Sequence, residues 1–148
     1  MAQRTLPQLF EDSVKKFGSN VLLWEKTDDR YAGTTYAEMR PLVHRFAAGL
    51  LALGLRKGDR VALISEGRND WVMSELGILF AGGVNVPISV KIEELADLKF
   101  RLAHSECRMA IVSQGQVSKI RQVKNDLPDL AKTIVLDALS SYEPDEIF

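Results

Sequence analysis

Between Lys57 and Leu136 the chain alternates between two kinds of apolar pattern, and this alternation constrains the fold more than any other feature. Short β-branched or aliphatic runs recur at 60–64, 84–87, 109–112 and 132–136. Between them lie stretches with helical spacing, at 71–81, 92–104 and 117–127. A strand that returns parallel to its predecessor needs a long crossover, which an amphipathic helix supplies. Strands covered by helices on both faces lose the polar alternation of a half-wet sheet and read as continuous apolar runs. The pattern predicts an α/β fold with a parallel, doubly wound sheet. Right-handed crossovers narrow this to a flavodoxin-like or Rossmann-like wind.

Upstream, Leu9, Phe10, Val14 and Phe17 predict a helix over 6–17, stopped by Gly18. Runs 21–24 and 30–35 around the turn Thr27-Asp28-Asp29 predict a β-hairpin. Thr35 and Glu38 have capping-box spacing, and a helix to about Leu53 follows, with Leu42, Phe46, Leu50 and Leu53 on one stripe. Pro41 removes a helical hydrogen bond, so that helix is either distorted at its start or begins at Pro41. Asn69 is the expected N-cap of 71–81, and Glu93 and Glu94 the expected first-turn acids of 92–104. The expected organisation is one lobe of a larger, truncated domain. Residues 1–56 carry the first helix, the hairpin and the long helix; 57–138 carry the β/α wind; 139–148 form a frayed tail.

Composition closes off several classes of function. At 148 residues the chain can bury a core without disulfide or metal. Its 19 basic and 20 acidic residues leave a net charge of −1, with no field to gather nucleic acid. The N-terminus has no apolar stretch of signal-peptide type. The uncharged run 76–90 is broken by Gly82, Gly83, Asn85 and Pro87, so it is expected in a core and not across a membrane. One cysteine, Cys107, agrees with a cytoplasmic setting and is expected as a buried small apolar residue.

Catalytic signatures are missing. No Gly-x-Gly-x-x-Gly, Gly-x-x-x-x-Gly-Lys-Ser/Thr or Gly-x-Ser-x-Gly occurs. His44 and His104 are far apart on predicted helices and are expected to be surface or packing residues. The acidic pairs Glu11-Asp12, Asp28-Asp29 and Glu93-Glu94 are expected at helix starts or turns. On the residues alone, a self-contained α/β binding or regulatory domain of receiver type stays open. It would need acids at the carboxyl ends of the first and third strands of the wind, where only Ser65-Glu66 offers one.

One ordered set of short motifs goes further. Thr35-Tyr36-x-Glu38 is followed by Phe46-Ala47-x-Gly49-Leu50-x-x-Leu53-Gly54 and Gly58-Asp59-Arg60-Val61-Ala62. Asn69-x-Trp71 and Ala81-Gly82-Gly83-Val84-x-Val86-Pro87 complete it. The set resembles the N-terminal region of the AMP-forming, or acyl-adenylate-forming, synthetase and ligase superfamily. With Trp71, the run Pro87-Ile88-Ser89-Val90-Lys91 and Leu127-Pro128-Asp129-Leu130, it is most similar to bacterial long-chain fatty acid–CoA ligases. Each motif also has a structural role as cap, turn or helix stop, so the set marks a scaffold.

The resemblance implies an intact enzyme that activates a carboxylic acid, expected to be a long-chain fatty acid, with ATP and Mg²⁺ to an acyl-adenylate. CoA then displaces AMP. An adenylation domain that loads a carrier protein is the alternative enzyme reading. The family's phosphate loop, ending in Pro-Lys-Gly, and its catalytic lysine belong to later sequence, so no catalytic or metal-binding residue is expected here and the chain alone is expected to be inactive. For cofactor binding the resemblance points to Lys91, Lys119 and Arg121 as contacts for the CoA phosphates, with a helix start near Gln116 adding unpaired N–H groups. The expected partners are the remainder of the same enzyme and a small-molecule acid. Peripheral membrane contact of the intact enzyme and self-association of the chain are left open.

Overall fold

The computed structural model describes residues 4–148. They form two compact units: one runs to Arg56 and includes Arg68–Gly82, and the other comprises Lys57–Gly67 and Gly83–Phe148.

The first unit contains α1 (Leu6–Phe17), the hairpin β1 (Val21–Thr27) and β2 (Arg30–Thr35), α2 (Tyr36–Ala52) and α3 (Asn69–Phe80). Both α1 and α2 open with a reciprocal capping box. In α1 the Thr5 hydroxyl accepts from the Gln8 N–H at 3.3 Å while the Thr5 N–H donates to Gln8 Oε1 at 3.0 Å. In α2 Thr35 and Glu38 do the same at 3.2 and 2.8 Å. That cap decides between the two expected starts: α2 begins at Tyr36 and runs through Pro41. Pro41 is exposed, so its missing bond lies on the wet side of the helix.

The stripe that α2 buries lies beside the expected one. Met39, Val43, Ala47 and Leu50 are inside, and Leu42 is exposed. Phe10, Met39 and Val43 form the centre of this unit, with Val14, Leu22, Leu23, Tyr36, Met73, Leu76 and Phe80 around them. Phe80 meets Phe10 edge-on, ring centroids 6.0 Å apart. At Gly77 helix α3 comes so close to α2 that an added Cβ would lie 2.7 Å from Phe46 Cδ1. Asn69 is not the N-cap of α3. Arg68 occupies the cap without a side-chain capping bond, and the Asn69 amide donates instead to Thr34 Oγ1 at 3.1 Å, tying the helix to β2.

The second unit is built on β3 (Arg60–Ile64), β4 (Val84–Pro87), β5 (Cys107–Val112), β6 (Lys132–Val135) and β7 (Glu146–Ile147), with helices α4 (Leu95–His104) and α5 (Gln114–Val123). The sheet has the order β4-β3-β5-β6-β7, and every neighbouring pair is parallel. This is the 2-1-3-4-5 order of flavodoxin-like sheets. Ala62, Ile64, Ala110, Val112 and Val135 share one core with Leu98 and Leu102 of α4 and Val117, Ile120 and Val123 of α5. The alternate strand positions Val61, Leu63, Ile111 and Ile134 are buried as well. Hence the unbroken apolar runs in the sequence.

Three boundaries differ from expectation. Helix α4 starts at Leu95, so Glu93 precedes it, Glu94 is its N-cap, and Asp97 is its first-turn acid. Residues before Leu95 are held in a turn by the bond from the Ile92 N–H to the Ser89 carbonyl, 3.3 Å. Helix α5 starts at Gln114 and ends at Val123, passing into a 3-10 turn at Lys124–Asp126. The tail after Ala138 is not frayed. Glu146 and Ile147 pair with Thr133 and Ile134, adding an edge strand. Among the described residues no helix is long and apolar enough to cross a membrane.

Candidate functional site

In an open parallel sheet the carboxyl ends of the strands face a crevice where the strand order reverses, and ligands bind there. In the order found here that point lies between β3 and β5. Ser65-Glu66-Gly67 leaves β3 and Ser113 leads from β5 into α5. Ser113 is extended and buried, and its Oγ has no partner among the described residues. The first N–H of α5, on Gln114, donates to Asp137 Oδ2 at 2.8 Å. The buried Gln116 amide reaches Glu66 Oε1 at 3.5 Å.

This corrects one expectation. The helix starts two residues before Gln116, and its first N–H is taken by a carboxylate of its own chain. The acids at this edge follow β3 and β6, whereas β5, the third strand of the wind, ends in Ser113. The acid pair that a receiver-type domain would need is not assembled.

The segment after β4 is a built turn. The Ile88 N–H donates to the Leu63 carbonyl at 3.0 Å, and the Lys91 N–H to Ser89 Oγ at 3.2 Å. Lys119, one of the residues singled out in the sequence, reaches this turn from α5. Its ammonium donates to the carbonyls of Val90, at 3.3 Å, and Ile92, at 2.8 Å. Lys91, between those carbonyls, is exposed. Lys119 therefore meets the backbone of the turn that carries Lys91.

Arg121 is placed elsewhere. Its Nε and Nη2 donate to the two carboxylate oxygens of Glu146 at 2.7 and 2.6 Å, and Nη2 also to the Ser141 carbonyl at 3.2 Å. The bond to Glu146 raises the Arg121 pKa, and the bond from Arg121 lowers that of Glu146 despite burial. Lys124 pairs with Asp145 at 2.6 Å and with Glu143. Burial works to lower the Lys124 pKa, but these two carboxylates raise it overall. This latch between α5 and the tail was missed in the sequence. Its signal was the i, i+3 pair Arg121 and Lys124 set against Glu143, Asp145 and Glu146.

The other titratable groups have structural work. His44 Nε2 lies 2.6 Å from Glu11 Oε1, and the Arg40 Nε donates to the same carboxylate at 2.8 Å. Burial tends to raise the Glu11 pKa, but the Arg40 and His44 bonds bring it below its ordinary value. His104 stacks on Phe100, centroids 5.4 Å apart. Cys107 is buried, and burial pushes its thiol pKa up, the reverse of what a nucleophile needs. Among the described residues no three His, Cys, Asp or Glu side chains form a group that could hold a metal ion. The arrangement offers charged side chains and a hydrogen-bonded turn beside the sheet edge.

Comparison with known proteins gives this scaffold its family. The model of the AMP-binding enzyme family matches residues 10–147. The chain belongs to that family. Curated relatives include a long-chain-fatty-acid–CoA ligase of Rattus norvegicus, 28% identical over 134 residues, covering 88% of this chain and 18% of the relative. A long-chain-fatty-acid–acyl-carrier-protein ligase of Arabidopsis thaliana is 29% identical over 115 residues, 76% of this chain and 15% of its own length. Among solved structures, a long-chain-fatty-acid-CoA ligase from Archaeoglobus fulgidus superposes with a TM-score of 0.85 at 17% identity, over 94% of this chain and 28% of that one. The last likeness shows the fold alone. The chain thus spans only 15–18% of the length of these curated relatives.

Proposed function

We propose that this chain is the first lobe of an acid–thiol ligase. The intact enzyme activates a carboxylic acid, of the long-chain fatty class, with ATP and Mg²⁺ to an acyl-adenylate and transfers the acyl group to CoA. The observation that carries the reading is the family match over nearly the whole chain, joined to relatives that are long-chain-fatty-acid–CoA ligases. The lobe's part is scaffolding and binding. Its acids at the sheet edge are paired or capping, and Cys107 is buried with its thiol pKa pushed up, so neither is set up as nucleophile or general base.

Transfer of the acyl group requires CoA to be held by its phosphates, and basic side chains of this lobe meet them. Lys91 is the candidate because it is exposed on an ordered turn, whereas the Lys119 ammonium is taken by the Val90 and Ile92 carbonyls and the Arg121 guanidinium by Glu146. A carrier-protein acceptor is the second reading, favoured by the acyl-carrier-protein ligase among the relatives. ATP–pyrophosphate exchange with a panel of fatty acids tests the division of labour. The chain alone is expected to give only the no-protein blank, and acid-dependent exchange by it would place the adenylation site within these residues.

A further inference from the structure

The turn after β4 is held from two sides. From within, Ser89 closes it, accepting the Lys91 N–H on its hydroxyl and the Ile92 N–H on its carbonyl. Val90 and Ile92 pack their side chains against the core of α4 and α5, and Lys91 between them is exposed. From outside, one ammonium takes both carbonyls that flank Lys91. That ammonium stands on a fixed base, because Val117 and Ile120, on either side of Lys119, are buried in the same core. Two of its three N–H donors are used on neutral carbonyls.

We infer that Lys119 is a positioning residue: it pins the 88–92 turn so that Lys91 is presented in one place, and it does not itself bind phosphate. The inference rests on the proposal that Lys91 meets the CoA phosphates, and it divides the roles of two lysines that the sequence groups together. A lysine suits the task because a compact point donor can serve two carbonyls at once. Lys91 is left exposed to an anion, with the exposed acids Glu93 and Glu94 next along the chain. Binding by a pre-ordered turn avoids the entropy of ordering it when the ligand arrives.

The test uses the full-length enzyme with Lys91→Ala, Lys119→Met, Lys119→Arg and the Lys91→Ala/Lys119→Met double variant. Amide exchange over 88–94 is read beside CoA kinetics at low and high salt. Lys119→Met should speed exchange in 88–94 by about tenfold while α5 stays protected. It should raise KM for CoA several-fold with kcat and pyrophosphate exchange unchanged, and Lys119→Arg should restore part of both effects. Lys91→Ala should raise KM equally, leave amide exchange alone and flatten the salt dependence. The double variant should be no worse than either single one. Unchanged protection of 88–94 in Lys119→Met overturns the inference, and so does a double variant whose effects add, since that would make Lys119 a contact in its own right. Faster exchange with wild-type CoA kinetics in both single variants would overturn the CoA reading while the pin stands.

Discussion

Two helical glycines offer a matched pair for testing how closely α2 and α3 approach. At Gly77 in α3 a Cβ would lie 2.7 Å from Phe46 Cδ1 and 3.5 Å from the Ala47 nitrogen. The first contact is closer than carbon atoms tolerate, so the Phe46 ring must turn or the helices must part. The ring is half-buried and is the softer element. Overpacking of this kind costs about 1–3 kcal/mol, and the lower half applies where a side chain can give way. Alanine in place of helical glycine returns about 1 kcal/mol. Gly77→Ala should therefore be neutral to destabilising, by about 0–1 kcal/mol. At Gly49 in α2 an added Cβ meets nothing within 4 Å. Gly49→Ala should keep the whole gain and stabilise by about 0.5–1 kcal/mol. Urea denaturation reads both, provided the m-value is unchanged. Equal stabilisation by the two substitutions would show that α2 and α3 do not meet at Gly77. Recovery of the propensity gain in Gly77→Ala/Phe46→Leu would identify the ring as the obstacle.

Three further outcomes follow from the same geometry. Glu146 is an acid whose folded pKa lies below its ordinary 4.5. Its contribution is present above 4.5 and is lost as pH falls through the lower folded value, so β7 should loosen on acidification. Glu146→Gln should flatten that pH dependence, as read by amide exchange at Thr133 and Glu146. Ser74 is wholly buried in α3 with no partner for its hydroxyl among the described residues, so Ser74→Ala should be neutral or stabilise by about 1 kcal/mol in denaturation. Trp24, Tyr31, Leu51 and Phe100 are each more than half exposed, so light scattering of the chain alone should show concentration-dependent association.

Much of the fold was legible because its signals are local or periodic. The Thr35–Glu38 box, the Asp28-Asp29 turn and the alternation of apolar runs each follow from spacing along the chain, and the structure places α2, the hairpin and the parallel strands accordingly. What could not be read depends on partners distant in sequence. Asn69 looks like a cap, yet its amide is taken by Thr34, 35 residues away. The tail after Ala138 lacks periodicity because its order comes from Arg121, Lys124 and the edge of β6. Lys119 and Arg121 look alike as exposed helix cations; one is bound by carbonyls and the other by a carboxylate, and only the three-dimensional packing of α5 separates them.

In the proposed enzyme a fatty acid is joined to a thiol at the expense of ATP cleaved to AMP. The direct measurement is product stoichiometry, on the protein encoded by the complete reading frame, with ATP, Mg²⁺, CoA and a series of fatty acids. Acyl-CoA, AMP and pyrophosphate are expected in equal amounts, dependent on the acid, with none formed by the 148-residue chain under the same conditions. Formation of ADP and phosphate, or AMP release indifferent to every acid offered, would contradict this reaction.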